Sequence, residues 1–169
     1  MHALVYTGTE KIVYREEKDP TKKPGEALVK VHASGICGSD MHAYHGKDER
    51  RIPPLILGHE FSGTSLDGKF KNKEVVINPL ISCENCDYCK NKREHLCPHR
   101  TMIGMSTPTK RDGGLAELVS VPEHNSSPNI RLFSSDNRKI VLSSDISTAN
   151  VLNPLKILSF PKIRVYNAV

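Results

Sequence analysis

Short runs in which apolar and polar residues alternate recur throughout the first 121 residues. The clearest run is residues 26–33, where every second position from Ala27 onward is apolar, as in a strand with one buried face. Further strands are predicted at residues 2–7, 11–15, 61–64, 74–79 and 113–121, with turns that contain Gly or Pro between them. One helix is predicted over residues 39–44, with Ser39 or Asp40 as its N-cap. Many short strands and few helices predict a mainly β fold, either a barrel or a sandwich.

The pattern changes after Asn125. All 11 glycines lie before this position, and residues 126–169 contain none. We therefore divide the chain into a domain at residues 1–125 and a divergent tail at residues 126–169. Residues 140–142 and 163–166 are predicted strands, and the tail shows no pattern typical of a helix.

Composition and charge exclude several classes of protein. The chain has 169 residues, 37% of them hydrophobic, and a net charge of +5. Its basic residues are dispersed in short pairs such as Arg50-Arg51 and Lys110-Arg111, which indicates solvated surface rather than a patch that binds nucleic acid. No apolar run approaches the roughly 20 residues of a membrane helix, and the first residues do not have the pattern of a secretory signal. We expect a cytoplasmic protein with neither a nucleic-acid partner nor a membrane partner.

Four cysteines in one segment carry the strongest chemical signal. They are Cys83, Cys86, Cys89 and Cys97, spaced Cys-x2-Cys-x2-Cys-x7-Cys. Four thiolates on a compact loop complete a closed tetrahedral shell around zinc, which is typical of a structural site. An iron–sulfur cluster is the main alternative, but the ferredoxin pattern places the fourth cysteine after three residues rather than seven. The spacing therefore favours a structural zinc in a lobe at residues 83–97.

A second candidate metal site combines three residues that are farther apart in the sequence. Cys37 follows the strand predicted at residues 26–33, and His59-Glu60 follows an apolar segment. Thiolate, imidazole and carboxylate groups suit zinc, and a catalytic zinc keeps about three protein ligands and one open position. The same residues are equally compatible with a small buried cysteine and a core histidine. Spacing alone leaves both interpretations open.

The order of the motifs resembles that of a known family. Residues 35–40 (Gly-Ile-Cys-Gly-Ser-Asp), residues 58–60 (Gly-His-Glu), the cysteine lobe and residues 113–117 (Gly-Gly-Leu-Ala-Glu) follow one another. Together they resemble the N-terminal catalytic domain of the zinc-dependent medium-chain alcohol and polyol dehydrogenases. The resemblance covers residues 1–125 and implies a GroES-like β-barrel domain, an alcohol or polyol substrate, and hydride transfer to NAD or NADP.

The resemblance also implies a ligand set for a catalytic zinc. Cys37 and His59 match two of the family's ligands, and Glu60 matches the glutamate that ligates the metal or lies near it. The remaining ligand is a Cys or Glu in relatives and would come from the tail. Asn153 and Asp145 are the candidate oxygen donors there.

Three further residues match the family's proton chemistry. Asp40 matches the acid that orients the histidine ligand, Ser39 matches the hydroxyl that takes the substrate proton, and His42 matches the histidine that passes this proton to solvent.

The chain has no Gly-x-Gly-x-x-Gly turn, so a nucleotide-binding Rossmann domain is expected to be absent. The chain is interpreted as a truncated or divergent dehydrogenase, either a homo-oligomer or dependent on a partner that supplies a nucleotide domain. The alternative is a non-catalytic module stabilised by zinc.

Overall fold

The computed structural model describes residues 1–128 in full and the backbone of residues 130–132, 140–142, 157–159 and 164–167. The strands within these residues are β1 (His2–Gly8), β2 (Lys11–Glu16), β3 (Glu26–Ile36), β4 (Leu55–Ile56), β5 (Glu60–Ser65), β6 (Glu74–Ile77), β7 (Leu80–Ile81), β8 (Thr101–Met102), β9 (Leu118–Pro122), β10 (Ser126–Pro128), β11 (Ile130–Leu132), β12 (Ile140–Leu142), β13 (Ile157–Ser159) and β14 (Arg164–Asn167). The helices are α1 (Gly38–Tyr44) and α2 (Asp87–Lys90), and two 3-10 turns cover Glu94–Leu96 and Glu123–Asn125. The prediction of a mainly β fold is confirmed.

β3 is the central strand of the main sheet. The strand order is β10-β6-β5-β3-β14-β13, and β9 also pairs with β3. β5 runs antiparallel along one edge of β3, as far as the pair Gly35–Glu60. The other edge pairs first with β9 and then, in parallel, with β14. These neighbours keep β3 extended as far as Ile36, three residues beyond its predicted end, so the strand leads directly into Cys37.

Alternation along β3 builds the inner face of this sheet. Val29 and Val31 are buried, whereas Lys30 and His32 between and after them face solvent, as the sequence pattern predicts. Each fully buried valine or isoleucine contributes about 1.5–3 kcal/mol relative to an exposed one. The buried apolar cluster in this part of the molecule consists of Val29, Val31, Phe61, Val75, Ile77, Ile81, Ile103, Val119 and Val121.

A smaller sheet, of order β2-β1-β4, lies next to α1. Ala43 of α1 is buried among apolar residues of β1 and β4. The same cluster contains Leu57, which directly precedes Gly58 and His59. The helix after Cys37 and the segment before His59 are therefore packed into one body.

The bounds of several predicted elements differ from those observed, and two of these differences bear on the site. α1 begins at Gly38 with Cys37 as its N-cap, because the carboxylate of Asp40 accepts a hydrogen bond from the backbone N–H of Cys37 at 3.0 Å. The strand predicted over residues 113–121 begins only at Leu118. The residues before it instead donate backbone hydrogen bonds to the segment at 56–58, with Leu115 N–H bonded to the carbonyl of Leu57 at 3.0 Å.

The described part of the tail adds strands to this fold. β10 pairs with β6, and β12 coincides with the strand predicted at residues 140–142. β14 overlaps the strand predicted at residues 163–166. The division of the chain after residue 125 stays a prediction. Among the described residues, no helix is both long and apolar enough to cross a membrane.

Candidate zinc-binding active site

The end of β3 and the first turn of α1 bring a thiol and a carboxylate together. Cys37 is partly exposed, whereas Asp40 is only 3% exposed. One carboxylate oxygen of Asp40 caps the N–H of Cys37, and the other accepts a longer hydrogen bond, 3.4 Å, from the N–H of Gly58. Asp40 therefore ties the segment of Cys37 to the segment of His59.

The turn at Gly58 places His59 and Glu60 opposite the end of β3. Gly58 has a φ of +90°, and a Cβ there would lie 2.9 Å from the backbone nitrogen of Leu115. Glycine is therefore required, both for its conformation and for this close approach. The turn buries His59 and starts β5 at Glu60, which pairs with Gly35. A Cβ on Gly35 would lie 2.9 Å from Oε2 of Glu60, so the carboxylate lies across this glycine.

Cys37, His59 and Glu60 fit a zinc site by position and by chemistry. One ligand atom from each residue lies within 4.8 Å of the other two. Two ligands at about 2.0–2.3 Å from zinc are at most about 4.6 Å apart, so small side-chain adjustments bring all three within binding distance. Nδ1 of His59 is also buried without a hydrogen-bond partner among the described residues. This nitrogen faces the carboxylate of Asp40, so Nε2 is the ring nitrogen available to a metal.

Electrostatics couple His59 to its neighbours. Nδ1 of His59 lies 3.4 Å from Oδ1 of Asp40, an ion-pair distance. Burial lowers the pKa of His59, but the Asp40 carboxylate and the Cys37 thiol together raise it by more, so the pKa of His59 is raised overall. Burial raises the pKa of Asp40, but His59, the Cys37 N–H and the charge of Arg51 together lower it by more, so the pKa of Asp40 is lowered overall. Without a metal, the pair therefore favours an ionised Asp40 and a protonated His59.

Ser39 and His42 lie beside this group on α1. They are three residues apart, which puts them on one face of the helix. Both line a cavity of about 510 Å³ that opens to solvent, together with residues 47–50. The structure therefore places the two predicted proton-transfer residues in one cavity, next to the turn that carries Cys37.

Arg51 is a site residue that sequence reasoning missed. The interpretation of Arg50-Arg51 as solvated surface is wrong for Arg51, which is 2% exposed. Its Nη2 donates to Oγ of Ser39 at 3.3 Å. The apolar stretch that directly follows, Ile52-Pro53-Pro54-Leu55, is the signal that could have indicated a buried arginine.

The cysteine lobe brings its four thiols together. Sγ of Cys89 lies 3.5 Å from that of Cys86 and 3.9 Å from that of Cys83, and the N–H of Cys83 donates to Sγ of Cys97 at 3.5 Å. These distances are far longer than a disulfide bond of about 2.05 Å. Four sulfurs at about 2.3 Å from a tetrahedral zinc lie about 3.8 Å apart, close to the distances found here. The donor set therefore fits a closed zinc site.

The thiols of this lobe differ in acidity. Backbone N–H groups of Asn85 and Cys86 lower the pKa of Cys83 to about 6. Burial and the neighbouring thiols raise the pKa of Cys89 to about 12. Four adjacent thiols cannot all ionise without a compensating charge, which a divalent cation supplies.

Comparison with known proteins identifies the family. Residues 23–130 match the alcohol dehydrogenase GroES-like domain. The chain belongs to the zinc-dependent medium-chain alcohol dehydrogenase family. What it carries is the family's N-terminal, GroES-like domain, as the order of the motifs predicts.

Individual relatives agree with this assignment. L-galactonate-5-dehydrogenase of Escherichia coli is 33% identical over 135 residues, which are 76% of this chain and 38% of that protein. D-arabitol-phosphate dehydrogenase of Enterococcus avium is 33% identical over 69% of this chain and 34% of its own length. Alcohol dehydrogenase TADH from Thermus sp. ATN1 superposes with a TM-score of 0.70 at 33% identity, covering 77% of this chain and 40% of that structure. The chain spans between a third and two fifths of the length of these relatives.

The remaining ligand of the catalytic zinc, predicted to come from the tail, lies outside the described residues. Asp145 and Asn153, the two candidate oxygen donors of the tail, both lie outside the described residues. The candidate site therefore consists of three potential ligands, Cys37, His59 and Glu60, with the orienting carboxylate of Asp40 beside them.

Proposed function

We propose that this chain is the zinc-binding catalytic domain of an oxidoreductase that converts an alcohol or polyol to a carbonyl compound, with NAD or NADP as hydride acceptor. The observation that carries the proposal is the grouping of Cys37, His59 and Glu60 within 4.8 Å of one another. Membership of the alcohol dehydrogenase family supports it. The sugar-acid and polyol-phosphate relatives favour a secondary alcohol or polyol over a simple primary alcohol.

In this proposal the metal-binding residues act with Asp40. A zinc ion held by Cys37, His59 and Glu60 would act as a Lewis acid that lowers the pKa of a bound alcohol. Asp40 orients the imidazole of His59 through the 3.4 Å contact at Nδ1. This contact leaves the other ring nitrogen, Nε2, as the available ligand atom.

The proton leaves through α1. Oγ of Ser39 takes the proton of the alcohol and passes it to His42, one helical turn farther on. His42 is exposed, so its imidazole can release the proton to solvent. A bound nicotinamide would accept the hydride of the alcohol carbon.

The cysteine lobe has a different role. Cys83, Cys86, Cys89 and Cys97 form the one four-thiol group among the described residues, and we assign it a structural zinc whose binding free energy stabilises the fold. This complete set also favours the second candidate function, a zinc-stabilised module without catalysis. We place the protein in the cytoplasm in either case. As an oxidoreductase, it would act as a homo-oligomer or with a partner that supplies a nucleotide-binding domain.

Turnover tests the proposal directly. The chain is assayed with NAD and with NADP against a panel of alcohols and polyols, and cofactor binding is measured separately. We expect oxidation that Ser39→Ala reduces by about 10²–10⁴-fold, the usual contribution of a proton-transfer group. If neither turnover nor cofactor binding is detected, the chain is not an enzyme on its own, and the non-catalytic module is the better description.

A further inference from the structure

A buried arginine links Ser39 to two distant parts of the chain. The side chain of Arg51 is 1% exposed. Its Nε donates to the carbonyl of Gly104 at 3.2 Å, its Nη1 forms an ion pair with Asp48, and its Nη2 donates to Oγ of Ser39 at 3.3 Å. All three donor nitrogens of the guanidinium therefore have partners.

Burial makes this arrangement rigid. Asp48 is only 7% exposed on its side chain, so the ion pair is largely shielded from water, although Asp48 also lines the open cavity. A buried charge is tolerated only when it is paired and hydrogen-bonded, which restricts Arg51 to a conformation that meets its partners. Gly104 lies 53 residues farther along the chain, so the guanidinium is held from a loop outside α1. Ser39 is therefore bonded to a fixed group rather than to a mobile surface side chain.

The chemistry of the guanidinium fixes the role of the serine hydroxyl. A guanidinium has donors only, whereas a hydroxyl donates one hydrogen bond and accepts others. Oγ of Ser39 therefore accepts from Arg51, and its own hydrogen cannot point at the guanidinium. The hydroxyl hydrogen is left to face the cavity shared with His42.

We propose that Arg51 is a positioning residue for Ser39: it holds Oγ in one rotamer as an acceptor and directs the hydroxyl hydrogen toward the proton path. This inference rests on the proposed function of Ser39. It adds a residue whose side-chain hydrogen bonds among the described residues go to Gly104, Asp48 and Ser39 rather than to the candidate metal ligands, and which acts through the serine.

The chain offers a matched control in Arg50. Arg50 also pairs with Asp48, with Nε at 3.0 Å from Oδ1, but its side chain is 64% exposed, and its side-chain hydrogen bonds go to Asp48 rather than to Ser39. A purely structural role through Asp48 predicts similar consequences for Arg50 and Arg51. A positioning role predicts an effect on Ser39 from Arg51 alone.

The first experiment leaves Arg51 in place. In the full chain, the exchange rate of the Nη2 hydrogens of Arg51 is measured by NMR for wild type, Ser39→Ala and Ser39→Thr. We expect exchange about tenfold faster in Ser39→Ala, equivalent to the loss of roughly one hydrogen bond, and near wild type in Ser39→Thr, which keeps the hydroxyl. An unchanged rate in Ser39→Ala would overturn the proposal.

The second experiment reads the rotamer of Ser39. Three-bond couplings between Hα and Hβ of ¹³C-labelled serine are measured for Arg51→Gln, Arg51→Lys and Arg50→Gln. We expect a single Ser39 rotamer in wild type and Arg50→Gln, and rotamer averaging in both Arg51 variants. If Arg51→Gln does not fold, Arg51→Lys, which keeps the charge, decides between the two outcomes. A single unchanged rotamer in a folded Arg51 variant contradicts the inference. Neither readout needs metal or turnover, so failure here is distinct from failure of the proposed dehydrogenase activity.

Discussion

Replacing Asp40 by asparagine probes the connection between the two metal-site segments. Asp40 accepts from the N–H of Cys37 at 3.0 Å with one oxygen and from the N–H of Gly58 at 3.4 Å with the other. An amide has the same shape but only one acceptor oxygen. In Asp40→Asn, one of these two backbone N–H groups therefore faces an NH₂ group instead of an oxygen.

The expected loss of stability follows from the missing acceptor oxygen. A buried donor left without a partner costs about 1–3 kcal/mol. For a domain of this size that free energy corresponds to a decrease in Tm of roughly 3–10 °C. The variant also replaces the carboxylate that faces Nδ1 of His59, and removing such an orienting partner typically weakens metal binding by about 10–100-fold.

Two assays measure these effects. Thermal unfolding gives the change in stability, and competition with a chromogenic chelator gives the zinc affinity of each site. Asp112→Asn is the control, because Oδ1 of Asp112 also accepts a hydrogen bond from a backbone N–H, that of Ile56, at 3.1 Å. This carboxylate needs only one acceptor oxygen, which asparagine keeps. If Asp40→Asn matches Asp112→Asn in both stability and zinc affinity, the assignment of Asp40 is wrong.

Three further predictions concern other parts of the fold. Gly58→Ala should lower stability by about 1–3 kcal/mol, because φ is +90° and the new Cβ would approach Leu115; an unchanged Tm would contradict this. Cys97→Ser should remove one zinc per chain and lower Tm, as elemental analysis and thermal unfolding will show, whereas retention of that zinc argues against the lobe. Burial raises the pKa of Glu26, but hydrogen bonds from Ser120 and Arg111 outweigh this effect, so the net pKa is lowered. The ionised carboxylate therefore contributes fully to stability above pH 4.5, and this contribution is lost as the pH falls through the lowered pKa. Glu26→Gln should therefore flatten the acid side of the stability profile, and an equally steep loss of stability with acid would refute this.

Much of the fold and the identities of the candidate ligands could be predicted from the sequence. Alternation along residues 26–33 is a local property, and it shows directly which side chains face the core. The cysteine spacing is also local, because the lobe closes within 15 residues. Cys37 and His59 could be named because their residue types, and the order of the motifs around them, are typical of one family.

What the sequence could not show depends on contacts between distant segments. The apolar stretch after Arg51 is a weak local signal, and only the fold shows that Arg51 is buried against Ser39 while Arg50 is exposed. Residues 113–121 are predicted as one alternating strand, yet the backbone of residues 113–115 bonds to residues 56–58, which lie more than 50 positions earlier. Asp40 caps Cys37 locally, but its contact with Gly58 required the tertiary structure.

The central claim is that the chain has two separate zinc sites, and metal counting tests it most directly. Zinc per chain is measured in wild type and in Cys37→Ala, together with thermal unfolding. We predict two zinc ions in wild type, and one in Cys37→Ala with the fold retained, because Cys37 is partly exposed and belongs to a ligand group separate from the four-thiol lobe. A Cys37→Ala variant that still holds two zinc ions would contradict the assignment of Cys37, His59 and Glu60 as a metal site.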